Sequence, residues 1–411
     1  MAYSDIVIWF VVILTIIEIF FFSWTVLVRK EFQWLITARD EAPKLSKDGL
    51  KKFIPKGYDS ELGWVRKPNT SNSEKGKFGD IVWSINDKGS RINPRFEELE
   101  SKISCYGDSF TFCRQVKNDE TWGYFLSKLQ KTNVLNFGVG NYGIDQSILR
   151  MKLEYPKNRT EIVILGVVPD TISRISSLWK HYCEYGNTFA FKPKFKLIDD
   201  NLVLIKNKID DETKFDNYQK FIPEIQMGDF FYKEKFKKEI IKFPYTYFVL
   251  KNFKRNIPIL VWVTITSILK KFGKDTKKIE WNAMKIIMRI NLSWRTKLFK
   301  NKESIRLLEK LIEDFVNYAN SNNFKPIFVF LPQKDDILFI KKNYNFYEEF
   351  SKKLSSLENL LLIDVTNDLL KFNDIDSLYS DDNEYGGHYS KIGNEKIALI
   401  INQQLINKKL I

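Results

Sequence analysis

Cysteine and histidine are the scarce chemistry-bearing residues of this 411-residue chain. The three cysteines, Cys105, Cys113 and Cys183, form no CxxC pair, so a disulfide framework is excluded and one bridge is the most they could make. The two histidines, His181 and His388, confine any imidazole-based mechanism to two candidates. Zinc spacing, an RNP-like strand and a basic heptad region are all missing. A nucleic-acid reading therefore rests on charge alone, and no nucleic-acid partner is expected. That charge is +14, from 65 Lys+Arg against 51 Asp+Glu, scattered along the chain rather than gathered in one arm. A surface of this sign favours lipid head groups or acidic glycans, and lysine bias for solubility and membrane attraction accounts for it.

What is present begins with an apolar run. Residues 6–28 carry a single charge, Glu18, and as a helix would measure about 35 Å against a hydrocarbon core of about 30 Å. This is expected to be a retained transmembrane helix: no Lys or Arg precedes Ile6, and the run ends on Leu27-Val28-Arg29-Lys30 rather than on small residues. The basic residues Arg29, Lys30, Arg39 and Lys44 all follow the span, which by the positive-inside rule puts the large domain in the cytoplasm. A juxtamembrane linker is expected over 29–57.

Beyond residue 58 the pattern becomes α/β. Ile81-Val82-Trp83-Ser84-Ile85 and the turn Asn86-Asp87-Lys88-Gly89 make a small strand-and-turn lead-in. Apolar runs at 103–106, 134–137 and 162–165 each break at glycine. Between the first two, Trp122, Phe125, Leu126 and Leu129 recur at helical spacing, with Asn118 or Asp119 as the cap. Regularity fades over 171–303, read as a mostly helical insertion with a hairpin around Asp199-Asp200-Asn201. Within it, 257–269 is too short to span a bilayer and is expected as a buried helix, with a membrane-surface helix as the alternative. The pattern returns over 304–411, with an apolar helix face from Ile305 to Ala319, strands at 327–331 and 360–363, and a closing helix near 395–406. Strand, helix, strand with glycines at the strand ends implies a parallel sheet with right-handed crossovers.

Four motifs in order carry a resemblance. They are Leu62-Gly63-Trp64 with Pro68-Asn69, Gly107-Asp108-Ser109-Phe110-Thr111, the loop Asn136-Phe137-Gly138-Val139-Gly140-Asn141-Tyr142-Gly143-Ile144-Asp145-Gln146, and Gly387-His388 with Gly393-Asn394. Together the chain resembles the SGNH (GDSL-like) hydrolase family, in its membrane-anchored or secreted branch acting on acylated polysaccharide, over about 58–170 and 304–402. The resemblance implies an SGNH-hydrolase-like (flavodoxin-like) three-layer α/β fold with a five-stranded parallel sheet. The expected domain order is transmembrane helix 6–28, first α/β part 58–170, insertion 171–303 and second α/β part 304–411.

The same resemblance makes Ser109 the nucleophile and His388 its general base, since a hydroxyl needs an imidazole to remove its proton in the transition state. Oxyanion donors would come from the serine's own amide and from Gly140 or Asn141. Asp170 stands about where the family has an asparagine donor, and Tyr385 stands where the acid of the triad is common. Asp382 is the expected acid, with Asp381 and Glu384 as further candidates, and a Ser–His dyad is the alternative; Asp108 and Asp170 are possible site residues of another role. No metal or cofactor is expected. The function implied is a serine esterase or O-acyltransferase acting on acylated cell-envelope carbohydrate through an acyl-serine. Its partners would be the bilayer, the acylated carbohydrate and membrane-bound glycan-assembly proteins. A silent module of the same fold that binds glycan or a partner enzyme is the alternative. Family likeness favours the export side of the membrane, opposite to the positive-inside count.

Overall fold

The computed structural model describes residues 3–76, 79–381 and 387–411. Contacts divide the chain into two compact units. One comprises the N-terminal segment to Ser46 with Trp179–Ala190 and Tyr218–Ser293; the other comprises Lys47–Leu178, Phe191–Asn217 and Trp294–Ile411. Residues 191–217, inside the stretch expected as an insertion, thus belong to the second unit. The first unit opens with helix α1 (Tyr3–Val28), long and apolar enough to cross a membrane, with a mean hydropathy of 2.7 over its most apolar window and none of that window buried.

The second unit is built on five parallel strands: β1 (Ser101–Gly107), β2 (Asn133–Asn136), β3 (Ile162–Val167), β4 (Lys325–Phe330) and β5 (Leu361–Asp364). They lie in the order β5-β4-β3-β1-β2, all parallel. Read by sequence this is 2-1-3-4-5, the flavodoxin-like winding. The inner strands read as continuous apolar runs because helices cover both faces; Ile103, Ile164, Ile327 and Val329 are all fully buried in one core. The winding reverses direction between β1 and β3. In open α/β sheets the crevice outside the strand ends at that reversal is where ligands bind.

Helix Trp122–Gln130 packs in this core through Trp122, Leu126 and the partly buried Phe125, while Leu129 is exposed. Its cap is Thr121, whose side chain accepts from the Tyr124 amide at 3.0 Å, and not Asn118 or Asp119. Those two residues are taken by a separate 3₁₀ turn, Asn118–Glu120. Strands Lys194–Ile198 and Asn201–Ile205 pair antiparallel around Asp199-Asp200. The later helices are Lys302–Asn322, capped by Asn301, and Lys391–Asn407, capped by Ser390.

The short helix α2 (Ser109–Phe112) belongs to the sheet unit, and the first unit adds α3 (Tyr245–Lys251), α4 (Phe253–Lys271) and the part of α5 (Lys277–Leu298) up to Ser293. Their core joins Val28, Val249, Ile259, Leu260, Val263 and Ile287. The 257–269 stretch lies wholly within α4: Ile259, Leu260 and Val263 are buried, while Val261 and Ile268 are exposed. Along α1 only one stripe of the second half, including Thr25 and Val28, turns inward.

Candidate active site

The end of β1 is fixed by steric exclusion. A Cβ on Gly107 would stand 1.9 Å from the Gly166 carbonyl oxygen of β3, so only glycine lets the two strand ends approach this closely. Asp108 follows as the N-cap of α2. Its Oδ1 accepts from the Phe110 amide at 2.8 Å, and its Oδ2 accepts from the Val168 amide at 2.9 Å and from Arg174 Nη1 at 3.2 Å. Burial pushes the Asp108 carboxyl up and Arg174 opposes that shift. Arg174 Nη1 also donates to the Tyr142 carbonyl at 2.9 Å, so this guanidinium joins the turn carrying Ser109 to the glycine-rich loop after β2. Asp108, a candidate from the sequence, is a positioning residue.

Side chains from elsewhere in the unit hold carbonyls of α2 and of the turn after it. Trp122 Nε1 donates to Phe110 O at 3.1 Å, and Asn136 Nδ2 donates to Thr111 O at 2.7 Å. Buried Arg91 donates to the carbonyls of Phe112, Cys113 and Val116 at 2.6, 2.9 and 2.6 Å. The loop closes on Gln115, a non-glycine residue in the left-handed region at φ 74°.

Ser109 and His388 meet. His388 Nε2 lies 2.8 Å from Ser109 Oγ, within proton-transfer range. The opposite ring nitrogen, Nδ1, lies 2.9 Å from Gln115 Oε1, and the His388 backbone amide donates to that same oxygen at 2.9 Å. A backbone N–H can only donate, so the amide oxygen of Gln115 faces the histidine. Nδ1 then carries the proton, and Nε2 presents its lone pair to the serine. This is the tautomer a general base requires.

The half-buried imidazole packs against Phe110, ring centroids 4.8 Å apart. Burial first, then the positive charges of Arg114 and Arg174, lower its pKa to about 3. The base is therefore neutral across the ordinary pH range.

Among the described residues, Nδ1 meets the amide oxygen of Gln115. Asp382 and Glu384 lie outside the described residues, and Asp381 uses its carbonyl to accept from Lys334 Nζ at 3.1 Å. Gln115, six residues after Ser109, was not among the partners expected for the ring. Nothing in its residue type marks it in the sequence; only the strained turn brings its amide under the ring.

The Ser109 amide heads the first turn of α2 and has no intrahelical acceptor. The glycine loop approaches it closely: a Cβ on Gly138 would stand 2.4 Å from the Phe112 amide, and one on Gly140 would stand 3.9 Å from both Ser109 Cβ and Arg66 Nη2. Gly140 thus sits beside the nucleophile, and its neighbour Asn141 is half-buried at φ 70°. Arg66, stacked over Trp83 at 4.3 Å, converges on the same place. Burial, and next the charge of Arg114, lower its pKa to about 10. Sequence reasoning missed Arg66, which falls between the two halves of the first motif. Asp170 faces away from oxyanion work: its carboxylate pairs with Arg174 Nε and with Arg295 Nε, each at 3.3 Å.

His181 belongs to the other unit, where its Nε2 lies 3.0 Å from the Asp40 carbonyl oxygen, and burial lowers its pKa to about 4.

No family model and no curated protein matches the chain. Solved structures similar to it include a lipolytic protein of the G-D-S-L family from Desulfitobacterium hafniense at 13% identity and TM-score 0.35, covering 74% of this chain and 100% of that one. A lipase/acylhydrolase from Enterococcus faecalis is similar at 11% identity and TM-score 0.35, covering 75% and 96%. An acetyl xylan esterase is similar at 12% identity and TM-score 0.34, covering 73% and 97%.

Proposed function

We propose that this chain is a membrane-anchored SGNH-type serine esterase or O-acyltransferase that acts on acylated cell-envelope carbohydrate. The observation that carries the reading is the relay Ser109 Oγ–His388 Nε2 at 2.8 Å with His388 Nδ1–Gln115 Oε1 at 2.9 Å behind it. In the reaction, Nε2 takes the Ser109 proton as Oγ attacks the ester carbonyl carbon. The tetrahedral oxyanion forms against the amides of Ser109 and Gly140, with Asn141 and the Arg66 guanidinium alongside. Removing one such donor typically costs about 2.7–4 kcal/mol of transition-state stabilisation. Collapse breaks the ester C–O bond, and the departing sugar oxygen takes the proton from Nε2. The acyl-Ser109 is then attacked by water in an esterase or by a sugar hydroxyl in a transferase, with His388 again as base.

The anchor in this reading is α1, whose length and exposed apolar surface support it. The test is covalent labelling. A fluorophosphonate probe is expected to modify the full-length protein at Ser109, with Ser109→Ala and His388→Ala both abolishing the label. Undiminished labelling of Ser109→Ala would overturn the assignment.

One observation favours a second reading, a silent glycan- or partner-binding module: the group behind His388 is a neutral amide and offers no negative charge to a developing imidazolium. Glycan binding that survives both substitutions, with no turnover of acetylated substrates, would favour this alternative.

A further inference from the structure

A cavity of about 680 Å³ opens between α4 and α5 within the first unit. Two helical faces supply it. Lys251, Lys254 and Arg255 come from the start of α4 and the residue ahead of its cap, and Lys285 and Arg289 come from one face of α5; Trp262 adds an aromatic wall. Among the described residues no acidic side chain lines it. Arg255 is buried, donating through Nη2 to the Trp34 carbonyl at 2.8 Å and through Nη1 to Asn256 Oδ1 at 2.8 Å, and its Nη2 forms an ion pair with Glu239 at 3.5 Å. Its Nε has no acceptor among the described residues. With Arg255 paired to Glu239, it is Lys251, Lys254 and Lys285, beside Arg289, that give the cavity wall its positive charge, and phosphate oxygens match that charge.

The position of the cavity along α1 says where that anion comes from. Trp24 Nε1 donates to Thr264 Oγ1 at 2.7 Å, and Lys270 pairs with Glu31 at 3.3 Å, so α4 runs beside the second half of α1 in the same direction. The cavity end of α4 lies some ten residues before Thr264, roughly 15 Å nearer the N-terminus of α1. Glu18 marks a nearby level: its carboxylate accepts from the Tyr245 amide and, at 2.8 Å, from the Thr246 amide at the start of α3. From Tyr3 to Ile16, by contrast, α1 is unpacked and its large apolar side chains are exposed. That free length is about 21 Å, less than a hydrocarbon core of about 30 Å. Tyr247, Leu250 and Phe253, each at least half exposed next to the cavity residues, can supply the missing depth by dipping into the bilayer surface. The cationic cavity then stands at head-group level, where α1 enters the membrane.

We propose that this cavity binds the phosphate head group of an anionic membrane lipid, with the lipid chain running down beside the exposed half of α1. Basic pockets beside membrane helices select phosphate-bearing lipids by this charge match. The proposal rests on the membrane anchor of the preceding reading and is independent of Ser109; carbonate extraction of membranes tests the anchor separately.

The closing experiment uses the full-length protein in a neutral detergent and a fluorescent-tailed phosphatidic acid. Saturable binding is expected, competed by phosphatidylglycerol and not by phosphatidylcholine. It is expected to weaken at least fivefold in the triple variant Lys251→Gln, Lys254→Gln, Lys285→Gln, with folding checked by thermal melting. A loss smaller than fivefold in the folded variant would overturn the proposal. So would equal competition by phosphatidylcholine, which marks a merely apolar cleft, or by inorganic phosphate, which marks a site for a free anion.

Discussion

At the scale of the residue, the decisive pair is a histidine held neutral and a glutamine that fixes its tautomer. His388 has its pKa lowered to about 3, chiefly by burial and then by Arg114 and Arg174, so its base form persists well below the pH at which an ordinary imidazole takes up a proton. Acylation measured as kcat/KM on a small activated ester should therefore stay level from pH 8 to pH 5. An acid limb centred near 6.5 would contradict the lowered pKa of His388. Gln115→Leu removes the acceptor of Nδ1–H and frees the ring to adopt the wrong tautomer; kcat should fall on the order of 10²- to 10⁴-fold with KM little changed. Gln115→Glu places a negative charge against the imidazole and favours its charged form. The acid limb should then move up toward neutral pH while activity persists at pH 8, a split that purely structural damage would not produce. Ser109 and His388 were legible because a glycine-broken strand end and a scarce histidine are sequence features. Gln115 was not, because its role is created by a left-handed backbone and a shared oxygen; Asp382 and Glu384, expected beside the ring, lie outside the described residues.

At the scale of the element, the strands were legible and their couplings were not. The continuous apolar run at 162–165 and the run at 103–106, broken only by Ser104, mark buried parallel strands whatever follows them. The cap of Trp122–Gln130 was misassigned because Asn118, Asp119 and Thr121 are all good capping residues, and only the chain path decides among them. Nor does any local pattern reveal that Arg91, far upstream of α2, holds three of the carbonyls in the turn that carries Gln115. Arg91→Met would leave those buried acceptors unserved. It should cost about 3 kcal/mol of stability, read as a lower urea midpoint for loss of tertiary structure. Gly138→Ala acts differently: its methyl would press on the Phe112 amide and shift α2. A destabilisation of about 1–3 kcal/mol is expected together with a sharp fall in fluorophosphonate labelling. Full labelling of Gly138→Ala would show that the glycine loop and the nucleophile turn are not coupled as their contact implies.

At the scale of the whole molecule, α1 has two jobs divided along its length. Its first half is an exposed apolar rod, which the residue pattern predicts directly. Its second half is part of a folded core: Val28 is buried with Val249, Ile259 and Val263, Trp24 bonds Thr264, and Glu18 caps α3. The lone charge in the span was legible as a residue, but its function depends on amides more than two hundred positions away. Two truncations separate the jobs. Removing residues 1–16 should leave a chain that is monodisperse in detergent and still labelled at Ser109, yet lost from carbonate-washed membranes, because only exposed surface is deleted. Removing residues 1–28 strips the inward stripe of α1 and uncovers the apolar faces of α3 and α4, leaving the Tyr245 and Thr246 amides without Glu18. That protein should aggregate on size-exclusion chromatography. If the longer deletion eluted as cleanly as the shorter, the second half of α1 would be a dispensable tether, and the cavity at its flank would lose the membrane register that gives it a lipid.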